Sequence, residues 1–312
     1  RWHSAVPDGP SQMAPIMVAA MAVATGQARH VLCFRALTES SSQTVARRAS
    51  IPGSGKARIG GWLGNLVPAN AMSASNWAGW MATRYFHEFG MTREHLGMVA
   101  TGERAFAQKN PLAVMQSPLT MDDYLAARMI SSPLGLFDCD VPIDGACVVI
   151  VSAADAATDC ARDPLIIEAM GAALGSQETW DQRTDLTTMG AHDACADMWK
   201  RTEMQPSDVD VLALYDGFSI FVPYWLEAFG FCGHGEAKDF IAEGNIGPGG
   251  RFPVNTGGGQ LSGGRLHGFG LLHEACTQLW GDGGERQIAN ARTAVCGMGG
   301  GFIAGSMLLR RD

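Results

Sequence analysis

No apolar run in the 312-residue sequence is long enough to cross a bilayer. The longest, Met13–Ala24 and Val148–Ala157, stop well short of the roughly twenty residues a spanning helix needs. Charge of either sign is sparse: Asp, Glu, Lys and Arg make up 17% of the chain, and the acids outnumber the bases to leave a net charge of −8. A chain of that sign lacks the basic stripe that nucleic acid demands, so nucleic acid is excluded as a general partner. No signal peptide is visible, although the first residue is Arg1 and not Met. The eight cysteines contain no CxxC pair and no His/Cys cluster, which excludes a zinc-finger spacing or a disulfide framework. The expectation from these absences is a cytoplasmic protein with reduced, buried thiols, no metal and no membrane contact. Apolar residues are abundant at 46%, in a chain too long for one ordinary core, so two domains are expected.

Glycine is concentrated in one place. Residues 247–270, GPGGRFPVNTGGGQLSGGRLHGFG, contain ten glycines among twenty-four residues and run into the amphipathic segment LLHEACTQLWG. Such density lets a backbone turn at positive φ and approach another group closely. A glycine-rich loop leading into a helix also collects unpaired N–H groups at the positive end of a helix dipole. Val254, Leu261, Leu266 and Phe269 interrupt the glycines, and Arg265 and His267 sit between them. These features predict a loop shaped to hold something.

Along the chain, MAPIMVAAMAVATG reads as an apolar helix closed by Gly26, and HVLCF as a buried strand. A helix apolar on nearly every face predicts the deep layer of an α/β sandwich. Residues 38–75 are rich in Ser, Gly and Pro and carry the basic cluster Arg47, Arg48, Lys56 and Arg58. Helices are predicted in NWAGWMATRYFHEFG, TREHLGMVATGERAFAQKNP and TMDDYLAARMIS, the last N-capped by Thr120. Trp77, Trp80, Tyr85 and Phe86 are expected in the core. FDCDVPIDGACVVIVSA is a turn and a buried strand, and Asp163-Pro164 marks a boundary. A second αβ pattern follows, with a helix in TTMGAHDACADMWKR, a strand in SDVDVLALYDGFS, the helix IFVPYWLEAFG, and closing strands RTAVC and FIAGSMLL.

The C-terminal run NTGGGQLSGGRLHGFGLLHEACTQLWGDGGERQIANARTAVCGMGGG resembles the closing segment of the thiolase superfamily. It is most similar to the sterol carrier protein thiolases and the bacterial acyl-CoA aldolases related to them. The resemblance implies an α/β thiolase-like fold: two similar βαβαβαββ halves in five layers (αβαβα), with a helical loop domain inserted in the N-terminal half. The implied domains are 1–163, which looks truncated at its start and includes the loop domain at about 38–130, and 164–312. The loop domain would cover an acyl-CoA tunnel, and its basic cluster is a candidate contact for the phosphates of coenzyme A.

Thiolases place a nucleophilic cysteine at the N-terminus of the first deep helix, which corresponds here to DGPSQ. No cysteine precedes Cys33, and that one lies inside a strand. The second family cysteine, of Cys-x-Gly-Gly-Gly, is also displaced. Cys296 is one residue out of register with Gly299, Gly300 and Gly301, and Gly297 takes the thiol's place. Thiolysis through an acyl-enzyme needs an activated thiolate. A retro-aldol cleavage needs only a base for the β-hydroxyl proton and donors for the enolate.

Tyr215-Asp216-Gly217-Phe218 stands where thiolases have Asn-Glu-Ala-Phe, and the related aldolases carry a tyrosine at the first position. Arg265 matches the Gly-His-Pro histidine, where those aldolases place a second tyrosine, so their two-tyrosine pattern is only half present. The resemblance therefore implies Tyr215 or His267 as the proton-transfer group and Arg265 for charge stabilisation. Asp216, Asn255, Gly258, Gly259, Gly264 and Gly300 are expected to line the substrate. His192 and His234 match no functional position and are expected to be structural. The implied function is a lyase that cleaves a bulky, steroid-type β-hydroxyacyl-CoA to a ketone and a short acyl-CoA. No cofactor is implied beyond the coenzyme A of the substrate. A homodimer and a small OB-fold, zinc-ribbon partner subunit are implied by analogy. Two other readings stay open: a non-catalytic acyl-CoA or lipid binder, and a thiolase with a relocated cysteine.

Overall fold

The computed structural model describes residues 13–42, 62–175, 180 and 183–312. The basic cluster Arg47, Arg48, Lys56 and Arg58 lies outside them. The chain opens with α1 (Ala14–Ala24), which has Pro15 in its first turn, followed by β1 (His30–Thr38). Met13, Ile16 and Ala19, three residues apart, make the buried face of α1, whereas Met21 is exposed. The expected all-round burial of this helix therefore holds on one face only. Met13 packs on Gly305 so closely that a Cβ there would collide with it, which fixes the start of α1 against the second sheet.

After the short helical segments Glu39–Ser42 and Trp62–Leu66 come three further helices. α2 (Ala74–Phe89) is capped by Ser73 and closed by Gly90 in the left-handed conformation. α3 (Arg93–Ala107) starts after Thr92. α4 (Met121–Ala126) carries the expected cap: Thr120 Oγ1 accepts the Asp123 N–H at 3.1 Å, and Asp123 accepts the Thr120 N–H at 3.2 Å. β2 (Asp144–Ser152) returns antiparallel to β1, from His30 opposite Ser152 to Thr38 opposite Asp144.

Besides a short hairpin (Met129–Ser131 with Leu134–Gly135), a π-helical turn (Gly259–Gly263) and several 3₁₀ turns, the main elements that remain are β3 (Ile166–Leu174), α5 (Gly190–Trp199), β4 (Val211–Leu214), α6 (Phe221–Phe229), α7 (Ala237–Ala242), α8 (Phe269–Trp280), β5 (Thr293–Gly300) and β6 (Ile303–Arg310). They form a four-stranded sheet in the order β3-β6-β5-β4, in which only β4 and β5 run parallel. Both parallel strands are buried along their whole length, which is why VLAL and TAVCGMGG show no polar alternation. Val254 makes a single parallel bridge to Leu212. With that bridge counted as a strand reduced to one residue, this half reads βαβαβαββ, as expected. α1, β1 and β2 repeat its closing αββ. Among the described residues no helix is long and apolar enough to cross a membrane.

This topology brings three pieces of chain together at the end of β4. The Tyr215 N–H extends the ladder by bonding the Gly297 carbonyl at 2.8 Å. The chain then turns through Asp216–Ser219 into α6, while the glycine-rich segment crosses over and α3 lies on top of it. Strand ends of this kind are where α/β folds place their ligands.

Candidate active site

The glycine-rich loop holds a carboxylate of the protein itself. Fully buried Asp216 accepts the N–H groups of Gln260 and Leu261 through Oδ2, at 2.6 and 3.1 Å. Glu103, from α3, reaches the same point. Gly259 has φ +60°, and any Cβ there would strike both Asp216 Oδ2 and Glu103 Oε2, so only glycine fits. Burial drives the Glu103 carboxyl well above its usual range, and the Asp216 charge beside it adds to the effect. Burial also raises Asp216, but there the loop amides and a hydrogen bond from Glu103 pull the other way. Two carboxyl groups this close share one proton, and Glu103 is the one that carries it.

Asn255, at φ +52°, clamps this arrangement. Its Oδ1 accepts the Leu214 N–H at 2.8 Å, and its Nδ2 donates to Glu103 Oε1 at 2.7 Å and to the Leu214 carbonyl at 2.9 Å. Asp216, expected to line the substrate, is instead committed to positioning the loop; Asn255 positions the loop too and also lines the cleft described below. Gly258, also expected there, packs directly on Ala107, and Gly300 packs on Phe221; Gly264 packs on Ile143 and, with Gly259, lines the cleft described below. α3 secures the loop twice more: Arg104 Nε donates to Ser262 Oγ at 2.8 Å, and just beyond the helix Asn110 Nδ2 donates to the Gly257 carbonyl at 2.8 Å.

A second cluster surrounds Arg265, whose N–H bonds the Val141 carbonyl at 2.8 Å. Its guanidinium joins two carboxylates. Nε donates to Glu39 Oε2 at 2.8 Å, Nη2 donates to the same oxygen, and Nη1 donates to Asp140 Oδ1 at 2.9 Å. Burial pushes Asp140 up to about 7, with Arg265 opposing the rise and Asp216 and Glu39 adding to it. His267 sits at φ +49° with Nε2 3.4 Å from Glu39 Oε1. Burial, Arg265 and Arg35 lower its proton affinity, against the pull of Glu39, which leaves the ring neutral at neutral pH.

Tyr215 stands between the two clusters. Burial raises its phenol first, Asp140 and Asp216 raise it further, and Arg265 and the Gln260 amide oppose them. The hydroxyl is therefore held protonated: it can donate to an oxyanion, but it is not a base. Of the three catalytic candidates read from the sequence, Tyr215 lies in the field of Arg265, and Arg265 and His267 meet at Glu39.

Burial keeps the cysteines around this site in their thiol form. A Cβ on Gly297, where the family's second thiol would stand, would lie 2.5 Å from the Trp225 indole. Cys296, one residue earlier, is buried and its thiol is pushed far up by burial. Burial likewise raises Cys33 and Cys195, and lifts Cys147 to about 11 and Cys139, Cys232 and Cys276 to about 12, so none of these is a thiolate at neutral pH.

A cleft of about 360 Å³ reaches the loop through Asn255, Gly259 and Gln260 but touches none of Tyr215, Arg265 and His267. The Glu274–Arg286 ion pair, closed at 2.9 Å, also lines it, and Glu274 accepts from Thr256 Oγ1 of the loop at 2.9 Å.

Sequence reasoning missed Glu39, Glu103 and Asp140. Glu103 left a signal: on α3 it falls in the stripe of Leu96, Val99, Ala100 and Ala107, an acid where the helical period requires an apolar residue. Asp140 and Glu39 left none, because only the fold brings them to Arg265.

Comparison with known proteins agrees with this fold. Residues 172–309 match the family model described as Thiolase C-terminal domain-like. The steroid side-chain-cleaving aldolase of Thermomonospora curvata is 35% identical, over 95% of this chain and 77% of that protein. The 17-hydroxy-3-oxo-4-pregnene-20-carboxyl-CoA lyase of Mycobacterium tuberculosis is 35% identical, over 92% and 77%. Among solved structures, the Ltp2-ChsH2(DUF35) aldolase superposes with a TM-score of 0.86 at 33% identity, covering 97% of this chain and 78% of that one.

Proposed function

The chain belongs to the thiolase superfamily, in its sterol carrier protein-like, acyl-CoA aldolase branch, and we propose that it is a carbon–carbon lyase cleaving a β-hydroxyacyl-CoA by retro-aldol chemistry. The observation that carries this reading is the Trp225 ring packed over Gly297, in the place of the family's thiol. With that position filled and the neighbouring cysteine thiols held protonated, the residues left at the end of β4 are proton carriers and one cation.

In the proposed reaction the Asp140 carboxylate, poised near neutrality, takes the β-hydroxyl proton. The C–O bond becomes a carbonyl, the Cα–Cβ bond breaks, and its electron pair moves into the thioester as an enolate. Tyr215 donates a hydrogen bond to the enolate oxygen, and the Arg265 guanidinium balances the charge. A proton delivered to Cα, with neutral His267 as the relay to solvent, releases a ketone and a shortened acyl-CoA. Glu103, Asp216 and Asn255 are positioning residues for the loop that carries Arg265 and His267.

The names of the relatives support a polycyclic, steroid-type acyl group and a DUF35 partner subunit, which we read as the small OB-fold, zinc-ribbon partner expected from the sequence. A homodimer is supported by the open face of the β1–β2 ribbon, where Leu32, Phe34, Val148 and Ile150 are all exposed. A cytoplasmic location, contact of Arg47, Arg48, Lys56 and Arg58 with the coenzyme A phosphates, and the absence of a separate cofactor complete the reading. Incubation of the chain and its partner with steroid-type β-hydroxyacyl-CoAs tests it. Ketone and short acyl-CoA should appear in equal amounts; tight acyl-CoA binding without turnover would replace the lyase with an acyl-CoA carrier.

A further inference from the structure

Three residues outside this site come together from separate pieces of chain: His192 in the first turn of α5, Glu227 near the end of α6, and His234 in the loop between α6 and α7. One potential ligand atom from each lies within 4.8 Å of the others. The hydrogen bonds around them leave these atoms with an unmet need.

His234 is the first case. Thr187 Oγ1 spends its single proton on Asp185 Oδ1, at 2.7 Å. It can therefore only accept from His234 Nε2, which lies 3.1 Å away. That assigns a proton to Nε2, and in a neutral ring leaves Nδ1 as a lone pair. Yet Nδ1 faces a second acceptor, Glu227 Oε2, at 3.0 Å. Two acceptors at that separation require a proton or a cation between them. Glu227 Oε1 is occupied elsewhere, by the Tyr85 hydroxyl and the Gly235 N–H at 2.9 Å, so Oε2 is the oxygen free to ligate.

His192 is the second case. Its Nε2 is wholly buried and has no hydrogen-bond partner. Its Nδ1 accepts the Met189 N–H at 3.2 Å and also lies 3.3 Å from the Met189 carbonyl, so a shift of the ring proton to Nδ1 would give the back-side bond that commonly orients a metal-bound imidazole. Without an ion the buried Nε2 is left with no partner for its proton; with an ion bound, the proton moves to Nδ1 and Nε2 offers its lone pair to the cluster.

We propose that His192 Nε2, Glu227 Oε2 and His234 Nδ1 bind one divalent transition ion of the zinc type. Two imidazoles and a carboxylate suit that class of ion, which prefers four-coordinate geometry. The His234 side chain is 45% exposed, so a further coordination position opens to solvent on its side. At bonds of about 2.0 Å, tetrahedral ligand atoms stand about 3.3 Å apart, so a pair at the 4.8 Å limit needs to close by about 1.5 Å. The ion would pin α5, α6 and the loop after α6 to one another, with Tyr85 of α2 holding the carboxylate from behind. This is a structural cross-link, independent of the chemistry at Tyr215.

The test uses the full chain, stripped with a chelator, desalted, and titrated with zinc or cobalt(II). The expected result is one bound metal ion per chain, a rise in Tm on binding, and a cobalt absorption spectrum typical of low coordination number. His192→Ala and His234→Ala should each weaken binding at least ten-fold, the loss that even outer-shell partners cost. Cys232→Ser, two residues from His234, should leave binding unchanged. Stoichiometry well below one would overturn the site and leave a protonated His234–Glu227 ion pair in its place. Binding that survives both histidine changes, or that disappears only with Cys232→Ser, would overturn it equally.

Discussion

Trp225 covers Gly297 so closely that a Cβ on the glycine would stand 2.5 Å from indole Cε3. Trp225 is itself fully buried and donates to the Gly299 carbonyl at 3.2 Å, so the ring has nowhere to go. Gly297→Cys, which restores the family's thiol by sequence, should therefore destabilise the protein by about 1–3 kcal/mol through overpacking. Chemical denaturation measures this. The variant should also gain no thiolysis of 3-ketoacyl-CoA; a stable variant with new thiolytic turnover would mean the indole yields.

Tyr215 is placed as an oxyanion donor, and its phenol is kept protonated. Tyr215→Phe keeps the ring and removes only the hydroxyl, so kcat should fall about 10²–10³-fold with little change in Tm. Steady-state kinetics on a cleavable β-hydroxyacyl-CoA decides this. A kcat within a few-fold of the original would remove Tyr215 from the chemistry.

Asp140, with its pKa pushed up to about 7, makes a signed prediction about pH. As a base it works ionised, so activity should rise with pH through about 7 and then level off. Stability should move the opposite way. A raised folded-state pKa contributes stability that is fully present below the unfolded aspartate value and is lost as pH climbs through about 7. Arg265 opposes the rise, so Arg265→Gln should move the activity limb to higher pH, and Asp140→Asn should abolish it. An unshifted limb in Arg265→Gln would separate the two residues.

Glu103 should behave as a neutral acid. Glu103→Gln keeps a donor toward Asp216 and an acceptor for Asn255, so Tm should change little. Glu103→Ala leaves the Asn255 amide and the buried Asp216 carboxylate without that partner, costing about 1–3 kcal/mol for each group left unsatisfied. Equal losses in the two variants would mean that Glu103 is ionised in the folded protein.

Most of the fold was legible because its signals are local. The apolar run before Gly26, the capping residue Thr120, and the unbroken VLAL and TAVC segments each specify one element through period or burial. The strand at Val254 was not legible, because one bridging residue leaves no periodic trace. For the site, the glycine-rich loop and Tyr215 stood out by density and motif, but the loop's purpose did not. Ten glycines looked like room for a ligand, whereas at Gly258, Gly259 and Gly264 they make room for Ala107, two carboxyl groups and Ile143. Asp140 and Glu39 reach Arg265 from 125 and 226 residues away, a distance that no local pattern spans.

The account depends on carbon–carbon cleavage without an acyl-enzyme, and intact-protein mass spectrometry during a quenched single turnover tests that most directly. Mixing the chain and its partner subunit with a limiting steroid-type β-hydroxyacyl-CoA should yield ketone and short acyl-CoA while the protein keeps its unmodified mass at every time point. A transient mass increase equal to an acyl group, mapped to any cysteine and formed as fast as the ketone, would contradict it.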